Sequence, residues 1–323
     1  MKETDILIIG AGISGLLCAT ELQRAGIQVW LVDKGRGVGG RMATRRMGGG
    51  RLDHGAQFFT VRDPRFRSYV DEWLEAGVIR EWFGGSDKPG DDHPRYCGIR
   101  GMTDAPKYLA KELEVVRSEK VVELSRELDT WIAQSETGAI FRARQLVITT
   151  PLPQALPLLD TSGLNYADED LEALRAVRYE KGLATLCILD GPSGLPTPGG
   201  MKLEEHPPLC WIADNQMKGV SAEVPTLTLH ADPSFSAEHW DSPDEVRGPR
   251  MIEAARPLLQ ASVVDYACHR WGFTRPVNPW AGLCYHKSGL GLTLAGDSFG
   301  GARVEGAALS GLAAAARILG RMV

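Results

Sequence analysis

Gly10-Ala11-Gly12-Ile13-Ser14-Gly15 follows the apolar run Ile6–Ile9 directly, and Asp33 lies about 20 residues beyond the glycines. The run reads as a parallel strand buried on both faces. Gly10 permits a tight turn, Gly12 lets a diphosphate approach the backbone, and Gly15 lets the next helix pack against the strand. Ala11, Ile13 and Ser14 complete a turn whose N–H groups, at the positive end of a helix, suit phosphates. That helix is predicted over 14–25, with Leu16, Leu17, Ala19 and Leu22 inward and Gly26 closing it. Asp33, next to Lys34, ends a second strand, Val29–Val32, where a carboxylate can accept ribose hydroxyls.

Two further segments extend the pattern. In Gly37-Val38-Gly39-Gly40-Arg41, paired glycines allow close backbone approach and Arg41 offers a bidentate fork to a diphosphate. Near the end of the chain, Leu292–Asp297 reads as a strand ending in a carboxylate, followed by Gly300-Gly301 and a helix from about Val304 to Leu319. Asp297 suits a ribityl or phosphate group. N–H groups near Val304 and Glu305, at a helix N-terminus, suit the polar edge of an isoalloxazine and favour negative charge there. NAD-binding chains need only the first segment; the three in this order predict FAD.

The composition is that of an ordinary soluble globular protein: 323 residues, 43% hydrophobic and 24% charged. A net charge of −5 argues against a nucleic-acid partner. No apolar stretch reaches the roughly 20 residues needed to cross a membrane. With no leader read before the first strand and six scattered cysteines lacking any CxxC, a reduced cytoplasmic protein is expected. No His/Cys ligand spacing predicts a metal.

The chain resembles the flavin-containing amine oxidase superfamily, in its renalase-like branch. The resemblance rests on the first glycine motif, Gly39-Gly40-Arg41, Asp53-His54-Gly55-Ala56-Gln57-Phe58-Phe59-Thr60, Arg95-Tyr96-Cys97-Gly98, Val147–Pro151 and Ala295-Gly296-Asp297. It implies an α/β fold of the amine oxidase/p-hydroxybenzoate hydroxylase type, with an FAD-binding Rossmann-like parallel sheet and a second, mixed α+β substrate lobe. Residues 1–70, 101–155 and 285–323 are expected to form the FAD-binding domain, and 71–100 with 156–284 the substrate domain. Ala56, Gln57 and Val122 join the expected cofactor contacts. Cys284-Tyr285 invites comparison with covalent flavin cysteines of some relatives, but lies too close to Asp297 for the usual spacing, so the FAD is expected to be noncovalent.

Within the first domain a helix is expected over 104–113. An antiparallel meander follows, from Val121–Leu124, Thr130–Ala133, Ala139–Phe141 and Gln145–Ile148. The second domain carries strands Leu183–Leu189 and Thr226–His230, a helix near 243–259, and loops around Gly84–Pro94 and Gly191–Gly200.

A substrate lying over a flavin needs flat walls and few charges. Gln57, Phe58, Phe59, Tyr96, Cys97, Gly98, Cys187 and Trp211 are the expected substrate contacts, with Tyr179, Trp271, Trp280 and Tyr285 as further aromatic candidates. Gln57, flanked by Ala56 and Phe58, needs a partner if buried, and a carboxamide or pyrimidine edge supplies one. Amine oxidases of the superfamily often carry a lysine in a substrate-lobe strand; here Leu183–Leu189 has none and Lys181 only precedes it. The resemblance therefore implies oxidation of 2- and 6-dihydro isomers of NAD(P)H to NAD(P)+, with O2 reduced to H2O2, by a monomer. Hydride loss from a dihydropyridine gives an aromatic cation directly, which agrees with the lack of any recognisable acid/base motif. An amine oxidase and a noncatalytic flavin- or nucleotide-binding protein remain the alternatives.

Overall fold

The computed structural model describes residues 2–85, 92–164 and 169–321. Part of the loop expected around Gly84–Pro94, residues 86–91, lies outside the described residues. The chain begins with β1 (Lys2–Ile9), α1 (Ile13–Arg24), β2 (Val29–Asp33), β3 (Thr44–Met47), β4 (Gly50–Asp53) and α2 (Pro64–Glu75). Next come β5 (Ile79–Phe83), β6 (Arg95–Gly98), α3 (Asp104–Leu109), β7 (Glu114–Arg117), β8 (Val121–Glu127), β9 (Thr130–Ser135) and β10 (Ile140–Ile148). The central part contains α4 (Leu152–Asp160), α5 (Glu169–Arg175), β11 (Gly182–Leu189), β12 (Gly200–Lys202), β13 (Leu209–Asp214) and β14 (Thr226–Ala231). The chain then forms α6 (Pro233–Glu238), α7 (Asp244–Ala255), β15 (Val263–Trp271), β16 (Tyr285–Lys287), β17 (Leu292–Leu294), α8 (Asp297–Gly300) and α9 (Val304–Ile318).

Contacts divide the chain into two compact units. The first holds Met1–Gly40, Pro106–Arg178 and Arg275–Val323; the second holds Arg41–Ala105 and Tyr179–Thr274. These borders differ from those drawn on the sequence. Residues 41–70 pack in the second unit because β4 lies along β14: Thr226 Oγ1 donates to the Arg51 carbonyl at 3.1 Å and Thr228 Oγ1 to the Asp53 carbonyl at 3.0 Å. Residues 156–178 stay in the first, where the Leu124 N–H donates to Thr161 Oγ1 at 2.8 Å.

The first unit is a Rossmann-like parallel sheet, β17-β10-β1-β2-β7, with β16 antiparallel on its edge and β8-β9 joined through β10. In β1 the run Ile6–Ile9 and in β2 the run Val29–Val32 are apolar without alternation, as in a parallel sheet covered on both faces. Ile6, Leu7 and Ile8 are at most 1% exposed. Where two short segments were expected, β10 is one strand of nine residues. It pairs antiparallel with β9 over Ile140–Ala143 while running parallel to β1 along its length. Nothing between Phe141 and Gln145 breaks the extended chain, so the meander and the parallel sheet share one strand.

The second unit is built on an antiparallel sheet, β12-β13-β14-β11-β15, with hairpins β3-β4 and β5-β6. Leu183, Cys187, Leu189, Leu227 and Leu229 form an apolar core with Met251 and Ala255 of α7. The opposite face carries Trp211, His230, Ala184 and His269 as successive cross-strand partners, which places their side chains in one row. The helices expected over 104–113 and 243–259 each end earlier, at Leu109 and Ala255, and tighten into a 3-10 turn.

Candidate functional site

In the first unit the glycine turn is held from behind. Gly10 has φ +110°, and a Cβ there would meet Thr149 Oγ1 at 2.6 Å, so both backbone and space require glycine. Thr149 Oγ1 also lies 3.1 Å from the Ile9 and Gly10 carbonyl oxygens and fastens the turn to the end of β10. A Cβ at Gly15 would collide with the Gly10 carbonyl oxygen, which is the close helix–strand packing expected of this glycine. Asp33 ties two loops together: Oδ2 accepts from the Ala11 N–H and Oδ1 from the Gly35 N–H, both at 2.6 Å. Each oxygen keeps a further lone pair. Lys34 is exposed, with Nζ 3.4 Å from Gln154 Oε1.

Gly12 caps the N-terminus of α1, and a Cβ placed on it would meet nothing within 4 Å. The Gly39 N–H donates to the Ala11 carbonyl at 2.8 Å, and a Cβ on Gly40 would come 3.6 Å from Gly12 Cα. Gly12, Gly39 and Gly40 thus wall a groove of bare backbone at a helix N-terminus. Ser14, two residues past the cap in the first turn of α1, has a buried Oγ without a hydrogen-bond partner. An open groove, a helix N-terminus and an unpaired buried hydroxyl fit the diphosphate of a dinucleotide. Ile13 is buried behind the turn, and Val122 is 41% exposed on β8, beside a break in its register with β9.

The C-terminal segment departs from its expected form. The strand stops at Leu294; Gly296 turns at φ +128°, donates its N–H to Ser310 Oγ at 2.8 Å, and Asp297 opens the single-turn α8. Asp297 and Glu305 are buried, and Val304 begins α9. Gly300 and Gly306 approach so closely that a Cβ on either would strike the other's carbonyl oxygen, which fixes the loop leading into α9.

In the second unit, Arg41 Nη1 donates to the Phe273 and Thr274 carbonyls at 3.1 Å, and its own carbonyl accepts from the Ala56 N–H at 2.9 Å. Gln57 is buried. Its Nε2 donates to the Asp53 carbonyl at 2.6 Å and the Gly55 carbonyl at 3.1 Å, while its Oε1 is buried with no partner among the described residues. Phe58 is half-buried against Trp82, Phe83 and Trp211, with ring centroids 5.6–6.4 Å apart. Trp211 Nε1 is also buried and unpaired.

The other expected substrate contacts lie in packed interior. Phe59 stacks among Phe66, Trp73 and Tyr96 and bridges to Tyr96 through its backbone. Cys97 is fully buried, and burial raises its thiol pKa; a Cβ on Gly98 would collide with the Gly101 carbonyl. Cys187 belongs to the apolar core under α7, on the sheet face opposite Trp211. Tyr179 packs on Phe273, and Tyr285 is buried on β16. The Trp280 N–H donates to the Ser298 carbonyl in the first unit. Lys181 is exposed outside β11, its ammonium 4.8 Å from the Trp240 ring.

Two groups escaped the sequence. His54 lies 4.7 Å from His269 and 5.2 Å from Trp271, ring to ring, and its Nδ1 is buried and unpaired. Burial, reinforced by His269, lowers the His54 pKa to about 4, and burial lowers that of His230 to about 4 as well. The second group is the ion pair between Lys218 Nζ and Asp53 Oδ2, at 2.7 Å with both side chains 0% exposed. Asp53 and His54 both lie in the Asp53–Thr60 segment that carries the family resemblance. Lys218 stood in no pattern, and only the fold brings it there. Among the described residues no cluster of three or more His, Cys, Asp or Glu could hold a metal, and no helix is long and apolar enough to cross a membrane.

Residues 8–73 match the NAD(P)-binding Rossmann-like domain, and residues 82–319 match the flavin containing amine oxidoreductase family. The chain belongs to the flavin-containing amine oxidoreductase family. It is an oxidoreductase of that family, on its renalase-like branch. It is 24% identical to renalase of Mus musculus over 292 residues, 84% of each chain. A shorter match, 30% identical over 144 residues, links it to putrescine oxidase of Kocuria rosea, covering 45% of this chain and 29% of that one. Among solved structures, a variant of putrescine oxidase superimposes with a TM-score of 0.74 at 13% identity, over 99% of this chain and all of that one, which shows a shared fold. Membership of this family implies a flavin, and the groove at Gly12 fits the dinucleotide form of one.

Proposed function

We propose that this chain is an FAD-dependent oxidase that returns 2- and 6-dihydro isomers of NAD(P)H to NAD(P)+, with noncovalent FAD and with O2 reduced to H2O2. Residues Gly10 to Gly15, Asp33, Gly40 and Arg41 would hold the nucleotide part of the FAD, and Asp297, Val304 and Glu305 its ring end. When bound, the flavin supplies a two-electron acceptor for hydride and a route for those electrons to O2. The observation that carries the substrate reading is Gln57 Oε1, a buried acceptor whose amide nitrogen is already spent on two carbonyls. A nicotinamide carboxamide offers the N–H that such an acceptor lacks. Phe58 and Trp211 add flat apolar surface.

Hydride loss turns a neutral dihydropyridine into a pyridinium cation, so the residues need to orient a C–H rather than remove a proton. With pKa values near 4, His54 and His230 stay uncharged at neutral pH and set no positive charge against that cation. Aromatic faces favour it. A β11 without lysine, and a Lys181 held over Trp240, count against amine oxidation. Burial pushes the Cys284 pKa up to about 11, which disfavours the thiolate that covalent attachment through it would need.

Anaerobic stopped-flow tests the reading with each dihydro isomer, ordinary 4-dihydro NADH and a panel of amines. The 2- and 6-dihydro isomers are expected to bleach the flavin fastest, and Gln57→Leu to slow that bleaching about 10- to 100-fold without releasing FAD. Fast bleaching by an amine alone defeats the proposal.

A further inference from the structure

Lys218 and Asp53 are 165 residues apart in sequence and form a fully buried pair. Such pairs add little stability, because desolvation offsets their attraction, so its presence calls for another account. That account begins with how completely Asp53 is engaged. Its Oδ2 takes Lys218, while Oδ1 takes Thr44 Oγ1 at 2.5 Å and the Met102 N–H at 2.8 Å. Its N–H donates to Asn215 Oδ1 at 3.2 Å, and its carbonyl accepts from Thr228 Oγ1 and from Gln57 Nε2. The residue that fixes the Gln57 amide is therefore itself fixed at every polar atom. Turning the Gln57 amide over would set Oε1 against the carbonyl oxygens of Asp53 and Gly55, so Oε1 remains the unpaired acceptor. The same ammonium lies 4.8 Å from the Trp82 ring, and Trp82 packs against both Phe58 and Trp211. Arg80 anchors the Lys218 carbonyl from the other side.

We propose that Lys218, acting through Asp53, is a positioning residue that holds Gln57 as a pure acceptor and so selects a primary carboxamide over a carboxylate on the ligand's ring. This rests on the reading of Gln57 as a substrate contact. A carboxamide presents an N–H to the bare Oε1. A carboxylate presents only lone pairs and negative charge to it, and is rejected.

The test uses the flavin-loaded protein with NAD+ and its nicotinate analogue as competing ligands, together with KM and kcat on the dihydro isomers. Wild type is expected to prefer NAD+ by about tenfold or more, the scale of one buried hydrogen bond. Lys218→Met is expected to reduce that preference to about twofold and raise KM about tenfold, with kcat changed much less. Adding Asp53→Asn should restore the preference, because the asparagine oxygen can still accept from Thr44 and Met102 with no charge left buried. A folded Lys218→Met protein with wild-type preference overturns the proposal, as does a double variant no more selective than the single. If Lys218→Met does not fold, Lys218→Arg takes its place: the larger guanidinium must displace the Asp53 carboxylate, and an unchanged preference overturns the proposal equally. A wild type that binds both ligands alike overturns it too. A wild type that prefers NAD+ yet oxidises no dihydro isomer defeats only the substrate reading.

Discussion

Gly12 and Gly15 stand three residues apart and do different work. Gly15 is a packing glycine: its Cα faces the Gly10 carbonyl with no room for a methyl group. Gly12 faces open space in extended backbone, φ −76° and ψ 177°, which any residue adopts. Gly15→Ala is therefore expected to lower folding stability by about 1–3 kcal/mol through overpacking. Gly12→Val is expected to stay within about 1 kcal/mol of wild type, since a cap glycine contributes little more than that, yet to purify without flavin. Urea midpoints and the flavin-to-protein absorbance ratio separate the two. A yellow Gly12→Val protein with full occupancy would mean that the diphosphate lies elsewhere.

At the scale of elements, α1 and α9 meet where a small residue is compulsory. A Cβ on Gly311 would collide with the Ser14 carbonyl in the first turn of α1. The helix that begins at Val304 thus bears on the helix that begins at the dinucleotide turn, and both carry proposed cofactor contacts. Gly311→Ala is expected to cost about 1–3 kcal/mol and to weaken flavin retention as well, by tilting the N-terminus of α1. Thermal unfolding read beside flavin release checks this; a lower Tm with unchanged retention would show that α1 keeps its place. In the second unit, β11 and β14 separate an apolar face under α7 from the face with Trp211, His230 and His269. Cys187 and Trp211, both expected substrate contacts, fall on opposite faces of this sheet and so do not share one surface.

At the scale of the whole molecule, buried neutral histidines give stability a pH dependence. Burial holds His54 and His230 at about 4, below their ordinary 6.5. Above pH 6.5 neither the folded nor the unfolded state protonates them, and no penalty arises. Between pH 6.5 and 4 the unfolded chain takes up protons that the folded chain refuses, so stability falls as the pH falls, by up to about 3 kcal/mol per histidine. Urea unfolding between pH 7 and 4.5 should show this slope, and His54→Gln should flatten it. An unchanged slope would mean that His54 is protonated in the folded state.

The parallel sheet of the first unit, its glycine turn and α9 were legible in the sequence, because these depend on local rules. A buried strand needs an apolar run, a tight turn needs glycine, and a helix needs a start and a stop within a few residues. The sequence also carried the family, through motifs spread over the chain. What it left open depends on partners distant along the chain. β10 reads as two pieces because, along the edge opposite β1, its first half answers to β9 and its second half to β17. The borders near 41–70 moved because the side chains of β14, far along the chain, bond to the backbone of β4. Lys218 had no local signature: a lysine in a surface-like turn reads as solvated until the fold sets it, fully buried, 2.7 Å from Asp53. Likewise Gln57 could be singled out as a buried amide wanting a partner, but which of its two ends is satisfied and which is left as an acceptor depends on where the fold sets the Asp53 and Gly55 carbonyls.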